Sequence, residues 1–513
     1  MSSLAALRAL HATIGAALDD IDRVYNGQGL DYPSLDVPYY HHSATTGADP
    51  KQVQAEKLIS DPAVARASSL IVAACGQLSA SVQIPFLTLV EGAHLGHITA
   101  ALSFLEETNT VEILREAGPQ GLHVKDLARR INEVRYGKKA ASSVGVAHLD
   151  PVKLSHILRL LATNHWLREV QPDVYSNGRL SSLLDSGKTP DQLSAAPTKK
   201  YEETNGLAAF ASMTTKEIFR SVTYLPEWLL TSTDKAKVKK AETPFNLAYD
   251  TGEGYYEWLE RPENAVELAR VGRAMTAARA ISSTHSIAHK AVFPWDALPE
   301  KAVVVDVGGG IGSVSMQLAE AYPHLRFVVQ DREQTVAIAP KVWGATQKEL
   351  FDSGRVSFQG QDFFEPQPAT LVVPGVGALS QSPAVYVITR VLHNWPDAQC
   401  VKIMKNLRAA AGPDTRLLIH EIILLHACVD PSDAEDGAGQ DEEVPTSSPL
   451  LPNLGKASSG VYQLDLTMMA MMDARERTLA ELRALALEAG WRVEKVTRDR
   501  LPVTLGYLVA VPV

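Results

Sequence analysis

The sequence predicts an α/β protein in which a mainly helical N-terminal half precedes a doubly wound, largely parallel sheet. Two observations support this fold class. Apolar residues recur at helical spacing through much of the first 290 residues, whereas from about residue 297 short apolar runs alternate with helical stretches. The chain has 513 residues, 45% hydrophobic and 21% charged, which is typical of a globular protein with several domains.

Composition argues against several classes of partner and compartment. The net charge of −10 does not favour nucleic acid or an anionic membrane. The cysteines Cys75, Cys400 and Cys428 are too few and too scattered for a disulfide framework or a CxxC metal site. No run of 18 apolar residues predicts a membrane span. The N-terminus lacks the pattern of a signal peptide, so the cytoplasm is the expected location.

Residues 1–75 are predicted to form a helical N-terminal arm. Residues 26–52, rich in Gly, Pro, Tyr and Asp, are predicted to be a loop within it. The preceding helix carries an apolar seam that serves equally for packing on its own chain or for contact with a second copy, and both interpretations stay open. The seam residues are Leu7, Leu10, Ile14, Ala17, Ile21 and Val24.

Residues 76–195 are predicted to form a winged-helix-like dimerisation domain. A helix over 122–131 precedes a second one that begins at Asp150-Pro151, an N-cap followed by a first-turn proline. A hairpin over 167–176 completes the winged-helix order. Residues 111–190 carry 12 basic and 8 acidic side chains, with no basic cluster on the second helix, so we favour a structural role over DNA binding.

The rest of the chain divides into a helical linker or substrate region, 196–290, and a sheet domain, 291–513. The short link Arg498–Thr504 between the last two strands cannot hold a crossover helix, so these strands are predicted to be antiparallel. Residues 427–460 hold seven acids and one lysine and are predicted to be a flexible acidic insertion. Predicted strands are 302–307, 326–330, 355–359, 384–389, 416–423, 491–497 and 505–512.

The first strand of the sheet domain leads into a glycine motif with Gly308, Gly310 and Gly312, which lets the backbone turn tightly beside a ligand. Asp331 ends the next strand, where an acid can bind ribose hydroxyls. Nicotinamide dinucleotides and S-adenosylmethionine both fit this pattern. Asp306 before the glycines suits a methionine ammonium and would repel a pyrophosphate, which favours S-adenosylmethionine.

The third strand of the sheet domain ends in a further candidate pair. Asp362 could accept the adenine amino group, and Phe363 could cover the face of the ring. The alternative interpretation is a loop aspartate that caps a turn. Its place in chain order after Asp331 favours the cofactor role.

Taken together, these motifs resemble the metal-independent small-molecule O-methyltransferases of plants and fungi, of the caffeic-acid and flavonoid type. The resemblance covers about residues 80–505. It implies a Rossmann-like methyltransferase sheet, S-adenosylmethionine, no metal, and a homodimer formed through the N-terminal helices. The segments that carry it are 304–312 (VVDVGGGIG), 392–397 (LHNWPD), 419–422 (IHEI), 465–468 (DLTM) and 475–478 (RERT).

The resemblance places His393 as a general base, since an imidazole can accept the proton of a phenol during methyl transfer. Glu421 ends the next strand and should lie beside His393, where a carboxylate would fix the tautomer. Glu476 is a second candidate for this role, although an acid that complements a helix dipole is an alternative interpretation. We favour Glu421 as the orienting acid. His420 alternates to the opposite face of the strand and is excluded.

A substrate pocket is predicted from the dense methionines near residue 470 and from the resemblance. Methionine adapts to flat aromatic ligands, although the same helix needs a core face. The predicted lining residues are Met275, Trp395, Asp465, Met468 and Met469.

The leading functional hypothesis is therefore methyl transfer from S-adenosylmethionine to a hydroxyl of a small, aromatic secondary metabolite. The main alternative is a methyltransferase-like pericyclase, isomerase or non-catalytic binding partner that keeps the cofactor fold. A third, a winged-helix regulator with a ligand-sensing domain, lacks the basic recognition face it would need.

Overall fold

The computed structural model describes most of the chain, in ten segments. They are 3–41, 49–137, 148–230, 243–279, 286–368, 370–373, 377–379, 382–430, 448–498 and 505–513.

Contacts divide the chain into two compact units. One unit comprises Met1–His11, Val72–Gln77 and Ser282–Val513, and the other comprises Ala12–Ile71 and Leu78–Ile281. The sheet domain predicted from the sequence lies in the first unit. The four-segment division into 1–75, 76–195, 196–290 and 291–513 stays a prediction.

The helical unit is built from short and medium helices because apolar residues recur at the 3.6-residue period. Its main core joins buried leucines, valines and isoleucines of residues 101–193. The helices up to residue 279, two of which run into both units, are α1 Ser3–Gly27, α2 Pro50–Leu58, α3 Pro62–Val82, α4 Pro85–Glu107, α5 Thr110–Ala117, α6 Val124–Tyr136, α7 Pro151–Thr163, α8 Pro190–Ala195, α9 Leu207–Met213, α10 Phe219–Val222, α11 Leu225–Leu230, α12 Pro244–Tyr249, α13 Tyr255–Leu259 and α14 Ala265–Arg279.

The predicted winged-helix order is present in this unit. Strands β1 Leu122–His123, β2 Leu167–Gln171 and β3 Val174–Asn177 form an antiparallel sheet in the order β1-β3-β2. The Asp150 carboxylate accepts a hydrogen bond from the Val152 N–H and caps α7, as predicted. One boundary differs from the prediction: α6 begins at Val124, because the two preceding residues pair with β3 instead of starting the helix.

The seam on α1 packs on its own chain. Ala17, Ile21 and Tyr25 are buried against Ala55 of α2 and Val64 of α3, all within the helical unit. Internal packing is therefore observed for this part of the seam.

The sheet unit holds the doubly wound sheet, in the order β12-β13-β10-β9-β4-β5-β6. All seven strands predicted from the sequence are present. Strands β7 and β8 form a separate pair, and β11 pairs with β10 beside the main order. The strands of the sheet unit are β4 Val303–Val307, β5 Arg326–Asp331, β6 Val356–Gly360, β7 Leu371–Val373, β8 Gly377–Leu379, β9 Val385–Thr389, β10 Arg416–Leu424, β11 Arg477–Thr478, β12 Trp491–Arg498 and β13 Leu505–Pro512.

Helices cover both faces of this sheet, which explains why its central strands are almost wholly apolar. Two separate clusters of buried side chains form the cores on the two faces. The pair β12 and β13 is antiparallel, as predicted from the short link. The helices are α15 Ser313–Ala321, α16 Glu333–Val336, α17 Ala339–Thr346, α18 Lys348–Asp352, α19 Asp397–Ala410, α20 Ser459–Met472 and α21 Leu479–Glu488.

The predicted acidic insertion, 427–460, is too long at its C-terminal end. Residues 431–447 lie outside the described residues. Leu450 and Leu454, in contrast, are buried, and α20 begins at Ser459. The prediction averaged the composition over the whole segment, whereas residues 448–460 contain no acid and two apolar anchors.

By length and composition alone, one described helix, Pro62–Val82, could cross a membrane. Core helices of soluble proteins have the same length and composition, so this helix alone is weak evidence for a membrane span. The absence of a membrane partner stays a prediction.

Candidate active site

His393 lies in a single 3₁₀ turn, Leu392–Asn394, that follows β9. The N–H groups of Val391 and Leu392 both donate to Oε1 of Glu421, over 2.9 and 2.7 Å. Glu421 comes from β10, which pairs in parallel with β9 and so brings its carboxylate to the same edge of the sheet. The carboxylate of the neighbouring strand thus anchors the backbone of this turn.

The imidazole ring of His393 is held by Glu476. Nδ1 of His393 and Oε1 of Glu476 are 2.8 Å apart, and both side chains are buried. A proton on Nδ1 that donates to this carboxylate leaves Nε2 as the acceptor nitrogen. The Glu476 N–H in turn donates to Oδ1 of Asp465 over 2.8 Å, so a second acid fixes the backbone of the first.

The two glutamates therefore have different contacts from those we expected. The sequence analysis favours Glu421 as the acid that orients the ring, whereas in the structure Glu476 contacts the ring and Glu421 contacts the backbone. Glu476 reaches the ring because the next two residues, which form β11, pair with the end of β10. A pairing this short leaves no periodic pattern in the sequence, so the spacing did not show which acid reaches Nδ1.

The site holds more acid than base. Burial would lower the pKa of His393, but the hydrogen bond to Glu476 and the negative charges of Glu421 and Glu476 outweigh it, so the pKa lies above 6.5. Burial raises the pKa of Glu421 above 4.5, and it also raises the pKa of Asp465 above 3.8. His393, Glu421 and Asp465 therefore hold protons more tightly than the free side chains would.

Among the described residues, His393, Glu421 and Glu476 also form the group whose spacing would allow a metal ion. One ligand atom from each lies within 4.8 Å of the others. The hydrogen bond to Glu476 already uses Nδ1 of the histidine. Metal independence stays a prediction from the sequence.

The predicted glycine turn follows β4, which lies beside β9, and packs against the segment that carries His393. Gly308 has φ +66°, and a Cβ there would lie 2.7 Å from Cγ2 of Val391. Gly312 has φ +82°, and a Cβ there would lie 3.0 Å from Cγ2 of Val329. Gly310 also has a positive φ of 61°. Bulkier residues would therefore strain this turn or push it away from its neighbours.

Two predicted acids lie beside the glycine turn in different environments. Asp306 is 1% exposed and accepts a hydrogen bond from the Ser315 hydroxyl over 2.8 Å. It supports the turn from within, and its contact with a ligand ammonium stays a prediction. Asp331, half-buried at the end of β5, accepts from the Gly310 N–H over 2.8 Å and lies at the edge where ligands of such sheets bind.

The third-strand pair is divided between two environments. Asp362 is exposed and accepts a hydrogen bond from the Phe364 N–H over 2.9 Å, which is the turn-capping contact weighed as its alternative. Phe363 packs edge-on against Trp395, with ring centroids 5.9 Å apart, and lies beside Gly308. The structure therefore places Phe363 and Trp395 together at the glycine turn.

The remaining predicted pocket residues are spread over two helices. Met468 is buried on α20 and Met469 is half-buried. Asp465, on the same helix, contacts the backbone of Glu476. Met275 lies half-buried on α14, in the helical unit.

Arg477 lies within the RERT segment but is not among the site residues predicted from the sequence. Its guanidinium, 1% exposed, donates to the carbonyl oxygens of Leu392 and Trp395 over 3.0 and 2.7 Å. It also donates to Oδ1 of Asp397 over 2.8 Å. Asp397, the first residue of α19, accepts from Arg475 as well. An arginine in a polar segment gives no sequence signal of burial, so this contact becomes visible only in the fold.

Comparisons with known proteins identify the family. A family model described as an O-methyltransferase domain matches residues 231–441. An O-methyltransferase of Armillaria gallica is 35% identical over 510 residues, covering 99% of each chain. The protein named 4-O-methyltransferase 1 of Phanerochaete chrysosporium is 34% identical over 494 residues, covering 96% of each chain.

A solved structure supports the fold. The structure of LepI in complex with S-adenosylmethionine aligns with a TM-score of 0.61 at 19% identity, covering 90% of this chain and 98% of that chain. An identity this low shows the fold alone. The sequence relatives and the family model agree on the family, and this structure has a similar fold. The chain therefore belongs to the O-methyltransferase family and is an S-adenosylmethionine-dependent enzyme that methylates oxygen atoms of small molecules.

Proposed function

We propose that His393 is the general base of this methyl transfer and that the acceptor is an aromatic hydroxyl. The observation that carries the proposal is the buried imidazole whose Nδ1 is held by Glu476 at 2.8 Å, which leaves Nε2 to accept a proton. A phenol has a pKa near 10, so a histidine with a raised pKa is a better-matched base than an unperturbed one.

S-adenosylmethionine, when bound, supplies a methyl group on a positively charged sulfur. His393 then takes the acceptor proton on Nε2 as the oxygen attacks, and the ring becomes an imidazolium. Glu476 and Glu421 stabilise that positive charge, because both carboxylates are buried within a short distance of it. Burial also keeps water away from the base, which strengthens these interactions.

The cofactor is proposed to lie along the glycine turn. Asp331, at the edge of the sheet, would bind the ribose hydroxyls, and Phe363 would cover the adenine ring beside Gly308. Asp362 would contact the adenine amino group from its exposed turn. The buried Asp306 would support the turn from within and contact the methionine ammonium.

An aromatic acceptor is supported by the methionines of α20. Met469 and Met472 are half-buried on the helix whose Asp465 holds Glu476, so polarisable side chains lie on the element next to the base. The names of the relatives agree with transfer to defined positions, since one is a 4-O-methyltransferase.

We also propose that the enzyme is a homodimer. Helix α4 and the residue before it expose large apolar side chains within the helical unit, including Ile84, Phe86, Leu89 and Leu95, each more than 60% exposed. Such a face is typical of a protein–protein contact, and a second copy is the proposed occupant. Light scattering should report twice the mass of one chain, and Phe86→Glu should reduce it to the mass of one chain.

The deciding experiment measures methyl transfer from labelled S-adenosylmethionine to a panel of phenols. The wild-type enzyme should release one S-adenosylhomocysteine per methylated phenol. His393→Ala should lower kcat by about 100- to 10,000-fold, while calorimetry still detects cofactor binding. Unchanged turnover in His393→Ala would reject the base, and product formation without methyl transfer would favour the pericyclase alternative.

A further inference from the structure

We propose that Arg477 is a positioning residue for the reaction: it holds the carbonyl side of the turn that carries His393 and so sets where Nε2 points. This inference rests on the proposed role of His393 as the base. It assigns a function to a buried guanidinium whose hydrogen bonds go to the backbone around His393 and to Asp397.

The turn is held from two sides by groups of opposite charge. On one side, the Glu421 carboxylate accepts the N–H groups of Val391 and Leu392. On the other side, Arg477 donates to the carbonyl oxygens of Leu392 and Trp395. These two residues flank the dipeptide at positions 393 and 394. A 3₁₀ turn of three residues has few hydrogen bonds of its own, so these contacts define its orientation.

Glu476 and Arg477 are adjacent in the chain and act on the same histidine from two directions. Glu476 fixes the ring through Nδ1, and Arg477 fixes the backbone of the turn. Because β11 pairs with β10, the dipeptide is tied to the strand that supplies Glu421. Glu421, Glu476 and Arg477 therefore together hold the backbone and the ring of the base.

Arginine is the side chain that this geometry requires. Its planar fork donates to two carbonyl oxygens and a carboxylate at the same time, whereas a lysine ammonium is a compact charge on a flexible stem. Asp397, which is about half exposed, accepts from both Nε and Nη2 of Arg477 over 3.0 and 2.8 Å. The aspartate neutralises the buried guanidinium and keeps its fork aimed at the turn.

Arg475 provides a matched control. It donates to the same Asp397 over 2.7 Å and to Glu481 over 2.6 Å, and its side chain is 38% exposed. Among the described residues, its guanidinium donates to these two carboxylates and to no carbonyl of the His393 turn. Loss of Arg475 therefore weakens the shared ion pair without releasing the turn.

The experiment compares Arg477→Lys with Arg475→Gln in steady-state methyl transfer. Arg477→Lys should lower kcat by about 10- to 100-fold, because a displacement of the base by about 1 Å is costly, while the affinity for S-adenosylhomocysteine stays unchanged. Arg475→Gln should stay within about twofold of wild type, as expected for an exposed pair. Equal losses in both variants, or none in Arg477→Lys, would overturn the proposal.

A double-mutant comparison separates this inference from the role of the base itself. If Arg477 acts through the histidine, Arg477→Lys should cause no further loss in a His393→Ala background. A further loss there would show that Arg477 acts elsewhere. Full activity of His393→Ala alone would reject the base, whereas full activity of Arg477→Lys beside an inactive His393→Ala would reject only the positioning role.

A second variant keeps the test decisive if Arg477→Lys does not fold. Asp397→Asn retains an oxygen acceptor but removes the charge that aims the guanidinium. It should lower kcat by a few-fold at unchanged affinity for S-adenosylhomocysteine, on the same argument of base displacement. Wild-type turnover in Asp397→Asn would then count against the positioning role.

Discussion

Each of the two units buries a cluster of charges, and the two clusters differ in their balance. In the helical unit, Lys200 lies 2.8 Å from Glu106 and 3.9 Å from Glu112, and Lys216 lies 4.0 Å from Glu106. Two lysines thus face two buried glutamates, and Lys216 also pairs with the exposed Glu107 over 2.8 Å. In the sheet unit, two buried glutamates lie beside one imidazole.

This difference changes the direction of the pKa shifts. Burial would raise the pKa of Glu106, but Lys200 outweighs it and holds the pKa below 4.5. Its contribution to stability is therefore present above pH 4.5 and is lost as the pH falls through the lowered pKa. Burial raises the pKa of Glu421, so this ionised carboxyl costs stability as the pH rises from 4.5 through the raised pKa.

A perturbed pKa alone therefore does not identify a functional site, since structural ion pairs perturb pKa values too. What separates the two clusters is compensation. In the helical unit, the Lys200 ammonium compensates the charge of Glu106 and keeps it ionised. In the sheet unit, the negative charges of Glu421 and Glu476 favour a proton on the His393 ring.

The largest expected effect is on stability and belongs to the balanced cluster. Lys200→Met leaves two buried carboxylates without their nearest cation and should lower the free energy of unfolding by about 3–5 kcal/mol. Urea denaturation measures it. Lys216→Met, whose side chain is 33% exposed, is the control and should cost about 1 kcal/mol or less. Wild-type stability in Lys200→Met would remove the distinction between the clusters.

The next effect is on catalysis. Glu476→Gln removes the acid that holds Nδ1 and should lower kcat by about 100-fold. It should also lower the pKa of His393, because the carboxylate raises that pKa in the wild type. The rising limb of the pH–rate profile should then move to lower pH. A limb that stays in place would show that Glu476 does not set the protonation of the base.

The smallest expected effect is that of Glu421→Gln, which should stabilise the fold but slow the reaction. Glu421→Gln keeps an oxygen that can accept the N–H groups of Val391 and Leu392 but removes a buried charge. At neutral pH it should raise the free energy of unfolding by about 1 kcal/mol while it slows turnover. Thermal melting and steady-state rates measure the two effects. A lower free energy of unfolding in this variant would show that the charge of Glu421 is compensated in the fold, as that of Glu106 is.

Much of the sheet unit could be predicted from the sequence, because buried parallel strands leave continuous apolar runs between helical stretches. The glycine turn, the place of His393 after β9 and the antiparallel closing pair follow from such local signals. The strands β7 and β8 were missed, since each has three residues. Strand β11 was missed as well, with two.

The site itself was predicted as a set of residues but not as a set of contacts. His393, Glu421, Glu476 and Asp465 are all named by motif and position in the chain. Which glutamate holds the ring, and that Arg477 is buried, depend on how β11 pairs with β10, over a distance in sequence that no local pattern spans.

The sequence by itself determined that this chain builds a glycine turn at the edge of a doubly wound sheet, with a histidine one strand away. Hydrophobic periodicity and glycine stereochemistry act over neighbouring residues, so they can be read in one dimension. Only the tertiary structure decided which charged groups lie beside His393 and in which direction they shift its pKa. Burial and the distances between charges set that shift, and both arise when segments far apart in the chain pack together.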